Sequence, residues 1–147
     1  MRRRGKVEVN AKEREVFDAL LEAHLDALPQ RFAEGLWEVP LIVDDEPSAA
    51  ILRELGMDPD DPEDDLFGLH TGVPITEQSV EQSGEVPEEI RLFRGPIMRL
   101  VGWAWPDDGF ERGDRAELDE EIRVTLLHEL GHHFGLDEDD LDELGYA

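Results

Sequence analysis

The chain has no cysteine, which removes both a disulfide framework and thiolate ligation and leaves histidine and carboxylate as the groups that can hold a metal. Lysine is almost as scarce. Lys6 and Lys12 are the only two, and with the arginines they make 14 basic residues against 38 acidic ones, a formal charge of -24. Such a balance argues against a nucleic-acid partner, since a phosphate backbone rewards the opposite sign. The basic arm Arg2 to Lys6 is too short to reverse it. That arm begins like a signal peptide, but the residues from Val7 on are rich in glutamate and no apolar run follows. Neither a secretion signal nor a transmembrane segment is expected, and the cytoplasm is the default location. There is no internal repeat, long linker or low-complexity tract, and 147 residues suit one domain around one moderate core.

Against these absences, apolar periodicity marks out the elements. Asn10 and Glu13 open a first helix in which Val16, Phe17, Leu20, Leu21, Leu25 and Leu28 follow helical spacing until Pro29. His24 borders that stripe as a packing or edge residue. Val39 to Val43 reads as a short strand, Pro47 to Leu55 as a helix ended at Gly56, and Asp58 to Asp65 as a solvated acidic turn without calcium-loop spacing. Leu66 to Thr71 and Glu89 to Arg94 read as further strands, and Arg94-Gly95-Pro96 turns the chain into another helix. Trp103 and Trp105 are expected to cap the core.

The most informative stretch is His128-Glu129-Leu130-Gly131-His132. Two imidazoles at i and i+4 share a helix face and can converge on one tetrahedral metal, and a carboxylate beside them can serve a water there as general base. The context supports this. Asp114 and Glu117 have the spacing of a capping box that opens a helix near Arg115, and Gly135 is a natural stop, so the motif occupies the last two turns of a helix of roughly twenty residues. From Val124 to Phe134 the only ionisable groups are His128, Glu129, His132 and His133, among apolar residues that suggest burial on nearly every side. A carboxylate in such surroundings needs a partner, which a site at the histidines would supply. His133 falls outside the arc shared by His128, His132, Thr125 and Glu129, and reads as a packed or supporting histidine.

Only fifteen residues follow His132, so the third metal ligand is expected close by. In His132-x-x-Gly135-x-x-Glu138 the glycine lets the chain reverse through the left-handed region and return Glu138 toward the metal, as in the extended pattern HExxHxxGxx(H/D). Glu138 is the first choice, Asp137 and Asp139 come next, and an upstream residue such as His70 ranks last. The same acidic run also suits the first turn of a short C-terminal helix.

The segments LLHELGHHFGLDEDDLDELG (126–145), DDEPS (44–48), GLHTGVPITEQS (68–79) and IRLFRGPIMRL (90–100) resemble a family of small bacterial minimal zincins, metallopeptidase-like domains of unknown function. The resemblance spans about residues 13 to 146. It implies a compact α+β domain with the HExxH helix beside a small mixed sheet, a zinc site with Asp as third ligand, and no methionine turn. Two features depart from it: Glu138 stands where that Asp is usual, and WAWPDDGFERG (103–113) is longer than the family's connection there.

The expectations are therefore a single zincin-like domain over 1–147 with 1–9 as a flexible lead, an N-terminal helix and the HExxH helix packed beside the sheet, and Zn(2+) held by His128, His132 and Glu138. Zinc is preferred over manganese or iron on ligand type. Glu129 would act as general base of a peptidase-like hydrolase on a peptide or protein substrate, with no nucleic-acid or membrane partner. Zincins commonly hold substrate against a sheet edge, and either of the two strands flanking residues 72–88 could be that edge. His70 on the first of them could contact substrate or a transition state. The alternatives are a non-catalytic, metal-stabilised domain that binds a protein partner, and a hydrolase of non-peptide amides. No residue pattern assigns an oligomeric state.

Overall fold

The computed structural model describes residues 7–61, 65–72 and 88–143. The basic arm, part of the acidic turn and the stretch TGVPITEQS beyond Gly72 lie outside the described residues. The elements run α1 (Ala11–Asp26), α2 (Gln30–Gly35), β1 (Leu41–Asp44), α3 (Ala49–Glu54), β2 (Gly68–Thr71), β3 (Glu89–Phe93), α4 (Arg94–Val101), α5 (Arg115–His133) and α6 (Glu138–Glu143). This is the α+β class expected, with a small mixed sheet. None of the described helices is long and apolar enough to cross a membrane.

Local chemistry sets the helix boundaries. Asn10 and Glu13 form a reciprocal capping box at α1, each accepting the other's backbone N–H at 2.9 Å. The second oxygen of the buried Glu13 accepts from Trp105 N–H at 2.9 Å, so that carboxylate also fastens the loop after α4. Asp114 is the N-cap of α5, but it accepts from Ala116 rather than completing a box with Glu117. α2 was not foreseen. Pro29, read as the stop of the first helix, is also the N-cap of the next one, a place where its missing N–H and fixed φ cause no loss.

On α5, Leu118, Ile122, Leu126 and Leu130 are fully buried at successive i+4 positions. This ridge packs in one core with Phe17 and Leu21 of α1, Ile90 and Leu92 of β3, and Trp103. Each such side chain contributes about 1.5–3 kcal/mol relative to exposure. Trp103 is a core residue, its indole N–H donating to Glu111 at 2.8 Å, and Trp105 packs against the core beneath Lys12 and Arg115. His24 ties α1 to α5 by bonding the Asp119 carboxylate at 2.7 Å.

The sheet order is β1-β3-β2, with β3 parallel to β1 and antiparallel to β2. That order decides between the two possible edges. Among the described residues β3 is central and β2 is terminal, and β2 is the strand against which α5 packs most closely.

Candidate metal centre

α5 ends just past the motif because Gly135 takes a left-handed φ of 75°. Leu136 N–H then bonds Gly131 C=O at 3.1 Å and Gly135 N–H bonds His132 C=O at 3.0 Å, the paired closure of a Schellman turn. The chain reverses at once into α6, where Asp137 and Asp140 exchange side-chain-to-backbone bonds of 2.9 and 3.1 Å. One carboxylate oxygen of Asp137 is thereby engaged in the turn, and Asp139 is exposed. Glu138 opens α6; its side chain lies outside the described residues.

On the last turns of α5, His128 Nε2 and His132 Nε2 face each other at 3.1 Å, with ring centroids 4.7 Å apart and nearly perpendicular. Two nitrogens bound to one tetrahedral zinc at the usual 2.0–2.1 Å would stand about 3.3 Å apart. The pair therefore fits the metal that the motif implies. Glu129 is buried, and its Oε1 lies 4.0 Å from His132 Nε2, beside the pair rather than between its nitrogens.

The edge strand comes very close to this carboxylate. A Cβ at Gly68 would stand 2.9 Å from Glu129 Cγ and 3.1 Å from Thr125 Cγ2, so only glycine lets β2 approach α5 here without a shift. Next to the contact is a cleft of about 330 Å³, with Leu66, Phe67 and Gly68 on one side and Val124, Thr125 and His128 on the other. Glu121 lies one turn before Thr125 on the same wall and accepts from its hydroxyl at 3.3 Å. Burial pushes the Glu121 carboxyl above its ordinary range, opposed by the Thr125 hydrogen bond and reinforced by the nearby Glu120 charge.

A second cluster begins at the very next histidine. His133 is 1% exposed, with Nδ1 at 2.5 Å from Glu88 Oε2 and Nε2 at 3.1 Å from Glu38 Oε2. The same Glu88 oxygen accepts from His70 Nε2 at 2.7 Å, and the His70 ring stands 6.4 Å from that of His132. One carboxylate thus fastens the end of α5 to β2. His133 is a buried supporting residue, as its position on the helix suggests, and His70 has its Nε2 engaged by Glu88 rather than turned to the pair. Glu88, Glu38 and Gly68 escaped the sequence reading. The one signal for the carboxylates was indirect, a histidine on an apolar helix face that must be given hydrogen-bond partners.

Two histidines and a glutamate on one helix, laid against the edge of a small mixed sheet, form a group that could hold a metal ion. The particular family follows from comparison: a model described as zincin-like metallopeptidase matches residues 36–146, and the chain belongs to that family. The family implies a metal, usually zinc. No curated protein matches the chain.

Proposed function

We propose that this domain is a zinc-dependent peptidase, with His128, His132 and Glu138 holding the metal and Glu129 as general base. The observation that carries the reading is the facing Nε2 pair at 3.1 Å with the buried Glu129 beside it and the terminal strand β2 alongside. Support for Glu138 is positional, since the Schellman turn sends the chain back directly after His132 and one oxygen of Asp137 is taken up in capping.

Zinc, when bound, supplies Lewis acidity that polarises a carbonyl and brings the pKa of a coordinated water toward neutrality. Every other task falls to the chain. An extended peptide adds its main chain to β2, which presents the scissile carbonyl to the α5 face that carries His128 and Glu129. Gly68 keeps the strand near enough for this. Glu129 takes the proton from the attacking water on a carboxylate oxygen, and passes it to the departing amine nitrogen as the C–N bond breaks. Its burial limits the access of bulk solvent to that carboxylate.

The test pairs metal content with turnover. Glu129→Gln should retain zinc and lose about 10²- to 10⁴-fold in cleavage of a peptide library. His132→Ala and Glu138→Ala should lose the zinc itself, as read by elemental analysis. Undiminished cleavage by Glu129→Gln would refute the general-base role. Zinc binding with no cleavage by the wild type would leave a metal-stabilised binding domain as the better account.

A further inference from the structure

The charge of -24 is unevenly answered within the fold. Asp45 is held by Arg14 and Arg94, Glu111 by Arg115, Glu120 by Arg123, and Glu46 and Asp65 by Arg99. Glu121 has no ion-pair partner among the described residues. It lies in the cleft beside the histidine pair, where its one hydrogen bond comes from Thr125. Its carboxyl is displaced upward by burial, whereas those of Asp45, Glu111 and Glu120 are displaced downward with arginines beside them.

The shape of the cleft suits one kind of counter-ion. Leu66, Phe67 and Val124 offer apolar surface of the sort on which the methylene stem of a lysine or arginine packs, and Glu121 and Thr125 offer oxygens for the charged end. One unpaired carboxylate and one hydroxyl are too few oxygens for calcium, and Asp65, the other acid lining that end, is already bound through both oxygens by Arg99 at 3.1 Å. Glu121 precedes His128 by seven residues, about 10 Å along the helix axis, which an extended peptide spans in about three residues. The Thr125 hydrogen bond draws the carboxylate toward the histidines and shortens that reach.

We infer that the cleft between α5 and the chain entering β2 recognises a basic side chain of the substrate, with Glu121 as the specificity-determining residue. The inference rests on the peptidase reading for the act of cleavage, and on the cleft alone for recognition. A basic residue within about three positions of the cleaved bond would replace the cation that the described residues do not provide.

Two measurements test it separately. In positional scanning of a peptide library, zinc-loaded wild type should favour Lys or Arg about tenfold at one position, Glu121→Gln should lose that preference, and Glu121→Arg should shift it to Asp or Glu. A basic preference that survives Glu121→Gln overturns the inference, as does an apolar or acidic preference in the wild type. The second measurement needs no turnover. Zinc-loaded Glu129→Gln is titrated with a lysine-containing dodecapeptide and its norleucine analogue, with and without Glu121→Gln. About tenfold tighter binding of the lysine peptide, lost with Glu121→Gln and weakened by salt, sustains recognition even if the wild type cleaves nothing and the peptidase reading falls. Equal affinity for the two peptides overturns recognition even if cleavage is observed.

Discussion

His132 and His133 are neighbours in the chain, yet they belong to clusters built on opposite terms. In one, nitrogen faces nitrogen: His128 and His132 are 3.1 Å apart, and the side chain of His132 is 32% exposed. In the other, nitrogen alternates with oxygen: His70, Glu88, His133 and Glu38 follow one another at 2.7, 2.5 and 3.1 Å around a histidine that is 1% exposed. In the second arrangement His70 Nε2 and both nitrogens of His133 each meet a carboxylate oxygen. Two facing nitrogens can share one proton between them, or both can turn their lone pairs to a metal ion. By residue type either cluster could hold a metal ion; they differ in the order of nitrogens and oxygens.

Removing one member of each cluster should break them differently. Glu88→Ala leaves two histidines without their shared carboxylate and unfastens α5 from β2, so apo-protein stability should fall by about 3 kcal/mol in urea unfolding. His132→Ala, at a partly open position, should change apo stability by less than about 1 kcal/mol while abolishing zinc uptake. Equal destabilisation by the two variants would mean that the buried cluster has no clamping role. Glu88→Gln keeps an acceptor in place and should fall between Glu88→Ala and the wild type.

A smaller effect is expected at Gly68, where β2 meets α5. The methyl of Gly68→Ala would have to displace Glu129 or Thr125, whose nearest carbons would lie 2.9 and 3.1 Å away. Overpacking of this kind costs about 1–3 kcal/mol. If Glu129 is the general base as proposed, cleavage should suffer more than zinc affinity, because the strand presses on Glu129 and not on His128 or His132. An equal loss in both would show that the contact supports the site as a whole rather than the general base.

The contrast also explains which parts of the molecule could be read in advance. His128, Glu129 and His132 come from five consecutive residues, so helical spacing alone brings them together, and the Asn10–Glu13 box is equally local. In β3 the alternation is plain, with Ile90 and Leu92 in the core and Glu89 and Arg91 only partly buried. Pairing was not legible. That β3 is central and β2 terminal depends on contacts between distant segments, and so do the partners of His133, which lie 45 and 95 positions away. A buried histidine announces that it needs acceptors without saying where they are. At α2 the difficulty was different: Pro29, read as the stop of the first helix, caps the second, and the first already closes at Ala27.

Two acids outside the histidine clusters allow the finest test of the same idea, that partners decide what a charged group does. Burial works to raise the Asp45 carboxyl, but hydrogen bonds and charge from Arg14 and Arg94 outweigh it and hold the group below its ordinary range. A carboxylate with a lowered folded pKa stabilises the fold above its unfolded pKa and loses that contribution as pH falls through the folded value. Asp45→Asn should therefore be less stable than the wild type by about 1 kcal/mol at pH 7, with the difference closing below about pH 4. Glu121 carries the opposite sign. Its folded pKa is raised, so at neutral pH the ionised group opposes folding, and Glu121→Gln should lose no stability there. Urea unfolding of both variants at pH 7 and in acid, about pH 3, measures the two signs together. A loss at neutral pH from Glu121→Gln comparable with that from Asp45→Asn would reveal a stabilising partner in the fold, and the acid facing the cleft would no longer need a cation from a substrate.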